Sequence, residues 1–469
     1  MNDDSSAERL ASRVRAWARV QPAGTRLPTT RELAAEHGVG PVTVQRAISR
    51  LVSEALVETR PGAGSYVAAR RAPAPADVAW QAAALGPARP DVDAEQGSGL
   101  RSVTADVIGM HSGYPSIDLL PAHLVLPALQ RAARDPAVAL SVSPSGGLPE
   151  LRRHFAAALA AAAPGAPAVA DLQVLVTSGG QSALTAALRG LARPGDAVVM
   201  ESPTFWGAVA AARNAGLRVV PIATGPAGID PGDLDDALSR HGARVVYAQP
   251  TFTNPTGGSW TPAVREQVHA VLAARKAFLI EDDWARDLAL DADPPPPMAA
   301  ADPDGHVVYV RSLTKSLSPA VRVAALIARG PAVHRLRTGR WVGDLYVSGV
   351  LQRAALDVLA HPGWPRHLRR LRVALAERRD SLRTALARHV PEVVLPEPPR
   401  GGLGLWLTLP PGRTAADTAA RCLHAGLAVS PGDEWFPAEP DGEYLRLSYA
   451  ASSPARHDEA AQLRHRALA

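Results

Sequence analysis

The first apolar positions of the chain recur at helical spacing. Leu10, Val14 and Trp17 fall at i, i+4 and i+7, which predicts one buried face of a first helix. A second helix is predicted to begin after Thr29, because Thr29 and Glu32 stand at the spacing of a capping box. The chain therefore opens with two short amphipathic helices.

A third helix is predicted to begin at Pro41, after a short turn. Its buried stripe is expected to contain Val44, Ala47, Ile48, Leu51 and Val52. Its opposite face is polar and basic, with Thr43, Gln45, Arg46 and Arg50. Two strand-like runs, 56–59 and 65–68, then flank a glycine turn. This order predicts a mostly α winged helix-turn-helix, and the alternative is a small helical bundle with a solvated arginine face.

Further along the chain, short apolar runs alternate with helical segments rich in alanine and leucine. The runs cover residues 174–177, 197–200, 218–221, 244–248, 278–281 and 307–310. They lack polar alternation, which predicts an α/β sheet that is mostly parallel and covered on both faces. Residues 70–102 are rich in Ala, Pro and Gly, which predicts a semi-rigid linker. The expected domains are therefore a head, 1–69, and a body, 103–469.

Charge and composition narrow the classes of function. The net charge is +5, and residues 1–71 alone hold eleven arginines against seven acidic residues, a difference of +4. A basic head on a nearly neutral body predicts an anionic partner for the head. The single cysteine, Cys422, excludes an intrachain disulfide framework. The polar N-terminus lacks an apolar signal segment, and we expect a cytoplasmic protein without membrane contact.

Lysine is rare in this chain. Of its 50 basic residues, only Lys276 and Lys315 are lysines. A lysine amine can form a Schiff base with an aldehyde and its pKa is tuned by burial, whereas arginine does not share this chemistry. We expect Lys276 to be a surface residue. Lys315 is the predicted reactive amine, since Ser312 and Arg322 flank it and both residue types suit phosphate binding.

Other candidate residues follow the predicted strands. Small residues that can hold a phosphate at a helix N-terminus are Ser178, Gly179, Gly180 and Gln181. Phe205 either stacks on a flat ring or belongs to the core. Asn254 offers an amide to a phenolic oxygen, and Asp282 can keep a pyridine nitrogen protonated. Together with Lys315, this order specifies pyridoxal 5′-phosphate (PLP), whose protonated ring is an electron sink. No metal site is predicted.

The head resembles the GntR family of bacterial transcription factors. The match includes Leu27–Leu33 and Arg60–Val67 and covers the whole head. The resemblance implies double-stranded operator DNA as the partner, with contacts at Arg31, Thr43, Gln45, Arg46 and Gly64. The family usually has Ser-Arg directly before the recognition helix, where this chain has Gly40 and Pro41. We therefore expect an operator preference that differs from the family norm.

The body resembles the fold-type-I aminotransferases, which depend on PLP. The resemblance implies that Lys315 forms the Schiff base, Asp282 pairs with the ring nitrogen and Asn254 pairs with the ring hydroxyl. The residues that it places around the phosphate are Ser178, Gly179, Gly180, Gln181, Ser312 and Arg322. It assigns Arg446 to the carboxylate of an amino acid, which a guanidinium can grip with two hydrogen bonds. It also implies a smaller C-terminal α/β subdomain, roughly 346–469.

A GntR head joined to such a body resembles the MocR subfamily of regulators. This implies a head-to-tail homodimer that senses an amino acid, an amine or a vitamin B6 compound. Trp284 belongs to the expected cofactor site, but it stands where the subfamily usually has tyrosine and cannot supply a phenolic hydroxyl. The segment 140–147 also lacks a tyrosine that reaches the neighbouring subunit's phosphate in related dimers. Two alternatives stay open: an active aminotransferase that carries a DNA-binding arm, and a regulator that senses its ligand without PLP.

Overall fold

The computed structural model describes residues 2–69, 80–81, 84, 97–391, 393, 395 and 397–468. The chain divides into two compact units, Met1–Ala88 and Arg89–Ala469. Most of the linker that the sequence predicts for residues 70–102 lies outside the described residues. Within these residues, no helix is both long and apolar enough to cross a membrane.

The described part of the first unit consists of helices followed by a hairpin. The helices are Asn2–Val20, Thr30–His37 and Pro41–Ser53, and the strands are β1 (Val57–Arg60) and β2 (Gly64–Val67). The two strands pair antiparallel, from Val57 opposite Val67 to Arg60 opposite Gly64. This arrangement confirms the predicted winged helix-turn-helix.

The second helix of this unit begins and ends as its local residues predict. The Thr29 hydroxyl accepts a hydrogen bond from the Glu32 amide at 3.2 Å, and the Glu32 carboxylate accepts one from the Thr29 amide at 2.7 Å. Gly38 follows the helix with φ of +61°, a left-handed conformation that glycine adopts at little cost. The turn that leads to the third helix is therefore set by neighbouring residues.

The third helix differs from its predicted pattern at two positions. Thr43 is buried, with 5% of its surface exposed, whereas Val52 is 40% exposed. Thr43 lies four residues before Ala47 and eight before Leu51, so it continues their buried stripe rather than the polar face. Its role as a DNA contact stays a prediction, and little of its surface is accessible in this unit.

The second unit is built around a mixed sheet of eight strands within the described residues. The strands are β4 (Val174–Thr177), β5 (Ala197–Ser202), β6 (Arg218–Gly225), β7 (Gly228–Ile229), β8 (Val245–Ala248), β9 (Phe278–Asp283), β10 (Val307–Ser312) and β11 (Ala324–Ile327). Their order is β4-β11-β10-β9-β8-β5-β6-β7, and only β7 and β11 run against the others. The mostly parallel sheet is confirmed, although neither antiparallel strand was predicted.

Helices cover the sheet and connect its strands. The α-helices of this unit that the structure describes are Ala122–Arg134, Pro136–Ala139, Pro149–Ala162, Gly180–Leu191, Trp206–Asn214, Pro231–His241, Pro262–Arg275, Ala332–Asp344, Gly349–Leu359, Trp364–His389, Ala415–His424 and His457–Leu468. Neighbouring strand residues alternate between two apolar clusters, with Val199 and Val246 in one and Val198 and Val245 in the other. Both faces are therefore buried, as the unbroken apolar runs predict.

A second apolar core lies among the C-terminal elements. There β12 (Gly404–Thr408), β15 (Tyr444–Ser448) and β14 (Ser430–Pro431) form a small antiparallel sheet. A short strand from the start of the unit, β3 (Ile108–Gly109), pairs with β13 (Leu427–Ala428). Since Ile108 and Met110 belong to this core, the beginning and the end of the unit fold together.

Candidate functional site

The strand order brings the predicted cofactor residues to one edge of the large sheet. β4, β5, β8, β9 and β10 run in the same direction, so their carboxyl ends meet at this edge. Asp282 lies near the end of β9, and Lys315 follows β10. Arg322 reaches the same edge because it precedes β11, which runs in the opposite direction. Ligands of α/β sheets bind at this edge.

Asp282 is buried and is held from one side only. Its Oδ2 atom accepts hydrogen bonds from the Tyr247 hydroxyl at 2.9 Å and from Gln249 Nε2 at 2.8 Å. No hydrogen bond within the described part of the chain uses Oδ1. Burial raises the pKa of Asp282 to about 6, and the positive charge of Lys315 opposes this shift. The carboxylate therefore has one oxygen fixed and one oxygen left for a donor such as a protonated pyridine nitrogen.

Lys315 lies between positive charges and an aromatic ring. Burial, together with the charges of Arg446 and Arg322, lowers the pKa of Lys315 from 10.5 to about 7. The Nζ atom stands 3.4 Å from the centroid of the Tyr114 ring, in a cation–π contact. An amine with such a pKa has a substantial uncharged, nucleophilic fraction near neutral pH.

The glycines after β4 lie against the predicted phosphate ligands. A Cβ atom at Gly179 would stand 2.8 Å from Nη2 of Arg322, and one at Gly180 would stand 3.8 Å from Oγ of Ser312. Gly179 also has φ of +89°, in the region that favours glycine. Gly180 begins a helix of 12 residues, so its N-terminal dipole points to the same place. Two small residues, a hydroxyl and a guanidinium thus lie together as a candidate phosphate cradle. The Ser312 hydroxyl also contacts the Thr314 hydroxyl at 2.9 Å, and Nη2 of Arg322 donates to the Ser178 carbonyl at 3.3 Å.

Two other predicted phosphate ligands already bind protein groups with their side chains. The Ser178 hydroxyl donates to Oδ2 of Asp344 at 2.7 Å, and Nε2 of Gln181 donates to the Gly207 carbonyl at 2.7 Å. The Ser178 hydroxyl proton is therefore in use, whereas the second N–H of the Gln181 amide and the backbone amides can still donate to a phosphate. Phe205 is half-buried and packs against the Trp206 ring at 5.6 Å between centroids. Its stacking on the cofactor stays a prediction.

Arg446 lies in a cavity with Asn254 and Trp284. The cavity is lined by Thr253, Asn254, Pro255, Gly257, Trp284, Gly401, Gly402, Leu403, Gly404 and Arg446. Arg446 is 2% exposed, its Nε atom has no hydrogen-bond partner, and it forms no ion pair with a carboxylate of the described residues. Burial lowers its pKa to about 10. The Trp435 ring lies 5.2 Å from the guanidinium carbon. A buried cation without an anionic partner fits the carboxylate of a ligand.

Trp284 does not replace the missing phenolic hydroxyl. Its indole N–H donates to the Phe252 carbonyl at 3.0 Å, and its ring lies 3.6 Å from where a Cβ atom of Gly402 would be. The indole therefore has no donor left for the cofactor. Trp284 contributes an apolar wall to the cavity, as its size and burial allow.

Three residues of this site were missed at the sequence level. Tyr247 and Gln249 stand two positions apart on and after β8, so they share the face that meets Asp282. A polar residue at the end of a wholly apolar run was the available signal for Gln249. Tyr114 precedes Lys315 by 201 positions, and nothing in the local pattern around it indicates this contact.

In the first unit, the surface of the third helix carries part of the predicted DNA contacts. Arg31, Gln45 and Arg46 are exposed, and Gly64 is half-buried with φ of +110° at the start of β2. These positions agree with an accessible basic surface, apart from Thr43. Their contacts to DNA stay predictions.

The comparisons with known proteins identify both units. Residues 7–67 match the family described as bacterial regulatory proteins, gntR family, and residues 105–463 match aminotransferase class I and II. The second match covers more than three quarters of the chain. The chain belongs to the MocR subfamily of GntR regulators. It is a transcriptional regulator whose larger part is an aminotransferase-like domain, as the sequence predicted.

Relatives of this MocR-type regulator share both parts. The uncharacterized HTH-type transcriptional regulator YdfD of Bacillus subtilis is 27% identical over 92% of this chain and 89% of its own length. The probable rhizopine catabolism regulatory protein MocR of Rhizobium meliloti is 27% identical over 92% and 87%. Among solved structures, LysN, the alpha-aminoadipate aminotransferase of Thermus thermophilus, matches 80% of this chain and 96% of its own at 29% identity, with a TM-score of 0.72. That structure is complexed with N-(5′-phosphopyridoxyl)-L-leucine.

Proposed function

We propose that this regulator binds PLP in its second unit and uses the cofactor to sense an amino acid. The carrying observation is the environment of Lys315. Its buried amine lies over the Tyr114 ring, and the charges of Arg446, Arg322 and Asp282 shift its pKa, which supports a single site formed by these side chains. PLP would supply an aldehyde that combines reversibly with primary amines and a ring that withdraws electrons when protonated.

The residues of the site fit the parts of PLP. Lys315 would hold the aldehyde carbon, and the unused Oδ1 atom of Asp282 would accept a hydrogen bond from the protonated ring nitrogen. Asn254, in the same cavity as Arg446, would donate to the ring hydroxyl. The cradle of Gly179, Gly180, Ser312 and Arg322 would bind the phosphate through backbone amides, a hydroxyl and a charge-assisted hydrogen bond. The phosphopyridoxyl ligand of the related LysN structure supports this assignment.

The effector is an amino acid rather than a simple amine, because Arg446 has no anionic partner among the described residues. A carboxylate that reaches it would end the cost of an unpaired buried cation. The amino group of the same molecule would compete with Lys315 for the cofactor. Binding can alter operator occupancy only if the effector has different affinities for the two states of the regulator. The exposed basic face of the third helix supports operator DNA as the partner of the first unit.

A homodimer is part of the proposal. Large apolar side chains are exposed on two neighbouring segments of the second unit: Leu140, Val142, Trp341, Val342 and Leu345. The segments adjoin because a Cβ atom at Gly349 would contact Val138 and Ser143. Apolar surface of this kind favours association with a second copy. Sedimentation of the full chain would test it, and a monomer at micromolar concentration would contradict it.

Aminotransferase turnover is the second candidate, and one observation favours it. Lys315, Asp282 and Arg446 are all present, which are the groups that amino-group transfer needs. The occupied indole N–H of Trp284 weighs against efficient turnover, because no hydroxyl replaces the expected tyrosine. Product formation from an amino acid and a 2-oxo acid, at a rate abolished by Lys315→Ala, would support the enzyme.

The proposed cofactor is tested on the purified full-length chain. PLP is added, excess is removed, and the visible absorption spectrum is recorded before and after reduction with borohydride. Peptide mapping by mass spectrometry should then locate the reduced pyridoxyl group on Lys315. A label on Lys276 alone, or none, would refute the assignment.

A further inference from the structure

Gln249 connects the two predicted contacts of the pyridine ring. Its side-chain Nε2 donates to Oδ2 of Asp282 at 2.8 Å, and its Oε1 accepts from the backbone amide of Asn254 at 2.9 Å. Gln249 is 1% exposed, so water does not compete for these bonds. One buried amide therefore joins the residue assigned to the ring nitrogen to the residue assigned to the ring hydroxyl.

The orientation of this amide is determined by its neighbours. Reversing it would place the amide oxygen against the Asp282 carboxylate and the NH₂ group against the Asn254 N–H, so both contacts would become repulsive. The backbone is anchored as well, because the Gln249 amide donates to Oε2 of Glu201 at 2.7 Å. Glu201 is in turn held by the indole N–H of Trp260 at 2.9 Å. The glutamine thus has a single arrangement that satisfies all of its partners.

This arrangement has a consequence for Asp282. With Tyr247 and Gln249 both donating to Oδ2, the carboxylate plane is fixed and Oδ1 is directed away from these donors. The same glutamine restrains the backbone of Asn254, which lines the cavity. The distance between the two ring contacts is then set by one side chain rather than by two independent loops.

We propose that Gln249 is a positioning residue that determines the affinity of this regulator for the PLP ring, acting through Asp282 and Asn254. The inference rests on the proposed PLP site, and it adds a residue that touches neither the amine nor the phosphate. Gln249 is not a catalytic residue, since it reaches the cofactor only through its two partners.

The test compares two buried glutamines. Gln249→Met keeps the size of the side chain and removes both hydrogen bonds of the side-chain amide. The matched control is Gln352→Met, because Gln352 is also fully buried and bonds the Leu148 amide and the Val347 carbonyl, both outside the ring contacts. The readouts are the dissociation constant of PLP by equilibrium dialysis, that of a deaza analogue without the ring nitrogen, and the midpoint of thermal unfolding.

We expect Gln249→Met to weaken PLP binding about tenfold to a hundredfold, as the loss of buried hydrogen bonds to a charged partner predicts. The affinity for the deaza analogue should fall less, because the analogue has no ring nitrogen to bind Asp282. Gln352→Met should lower thermal stability at least as much and leave PLP affinity within about twofold, the scatter expected away from the site. Equal losses for PLP and the analogue, or unchanged PLP affinity, would overturn the inference.

The outcomes also separate this inference from the proposed function. If the wild-type chain does not bind PLP, the proposed function fails first. If the wild type binds PLP and Gln249→Met binds it equally well, only the positioning role fails. Should Gln249→Met not fold, Gln249→Leu serves in its place, because it is also apolar, is no larger than glutamine and removes the donor to Asp282. Selective loss of PLP over the analogue is again expected, and its absence counts against the role.

Discussion

The Nζ atom of Lys315 lies 3.4 Å from the centre of the Tyr114 ring. The ring attracts the charged form of the amine, whereas burial and the charges of Arg446 and Arg322 favour the neutral form. The pKa of about 7 is set by burial and by the charges of Arg446, Arg322 and Asp282, which meet only in the folded chain, and the contact with the Tyr114 ring acts against the lowering. This balance leads to the first two predictions.

Replacing Tyr114 by leucine should lower the pKa of Lys315 further, because the cation–π stabilisation of about 0.5–2 kcal/mol is lost. The rate of PLP capture should then reach its plateau at a lower pH than in the wild type. Tyr114→Phe keeps the aromatic face and should leave the pH profile unchanged. Stopped-flow absorbance at a series of pH values measures the rate of PLP capture. Identical pH profiles for Tyr114→Leu and Tyr114→Phe would disprove the role of the ring.

The wild-type pH dependence has a defined direction. The uncharged amine is the nucleophile, so PLP capture should rise with pH and level off above about 7 rather than near 10.5. The folded state also binds fewer protons at Lys315 than the unfolded state between these two values. The free energy of unfolding should therefore rise with pH across this window, and Lys315→Met should remove that slope. Denaturant unfolding of both chains at pH 7 and pH 9 tests the sign.

Lys315→Ala should separate sensing from DNA binding. The variant loses the amine that holds the cofactor, and we expect no reducible PLP adduct and no change of operator affinity on addition of effector. Basal operator binding should stay within about twofold, because the substitution lies outside the first unit. Electrophoretic or fluorescence titrations with and without effector measure both quantities. A normal effector response in this variant would exclude the covalent step from signalling.

Arg446→Met should abolish the response to amino acid effectors without weakening the fold. The guanidinium is buried and has no carboxylate partner in the part of the chain that the structure describes, so replacing it by an apolar side chain should raise the free energy of unfolding by about 1 kcal/mol or leave it unchanged. Arg446→Lys keeps the charge but loses the two-pronged geometry, and it should bind effector weakly. Calorimetry of effector binding and denaturant unfolding would reveal the two effects. A strongly destabilised Arg446→Met chain would indicate a structural role instead.

Arg46→Ala should weaken operator binding through lost phosphate contact. In a plot of the logarithm of affinity against the logarithm of salt concentration, the slope should become shallower by about one. Arg366→Ala is the matched control, because it removes the same charge from an exposed position of the second unit. Its salt dependence should equal that of the wild type. If both variants behave alike, the effect comes from net charge rather than from the third helix.

The sequence predicted those parts of the site that depend on position relative to a strand. Asp282, Asn254, Ser312 and Lys315 could be placed because each follows an apolar run, and the ends of parallel strands meet. Ser178 was placed equally well, but its hydroxyl is bound by Asp344, which lies 166 positions away. Position along the strand therefore predicts the neighbourhood of a side chain and does not predict its partner.

Local signals by themselves determined the capping of the second helix by Thr29 and Glu32 and the succession of strands in the second unit. They also indicated the chemistry of Lys315, the lysine that lies near a phosphate-binding pattern. These depend on spacings of a few residues or on residue type alone. The tertiary structure alone decided that Tyr114 faces Lys315, that Gln249 joins Asp282 to Asn254, and that Ile108 packs with the C-terminal core. Such contacts depend on the packing of distant segments, because hydrogen bonds and apolar burial select partners by proximity in space and leave no periodic trace in the sequence.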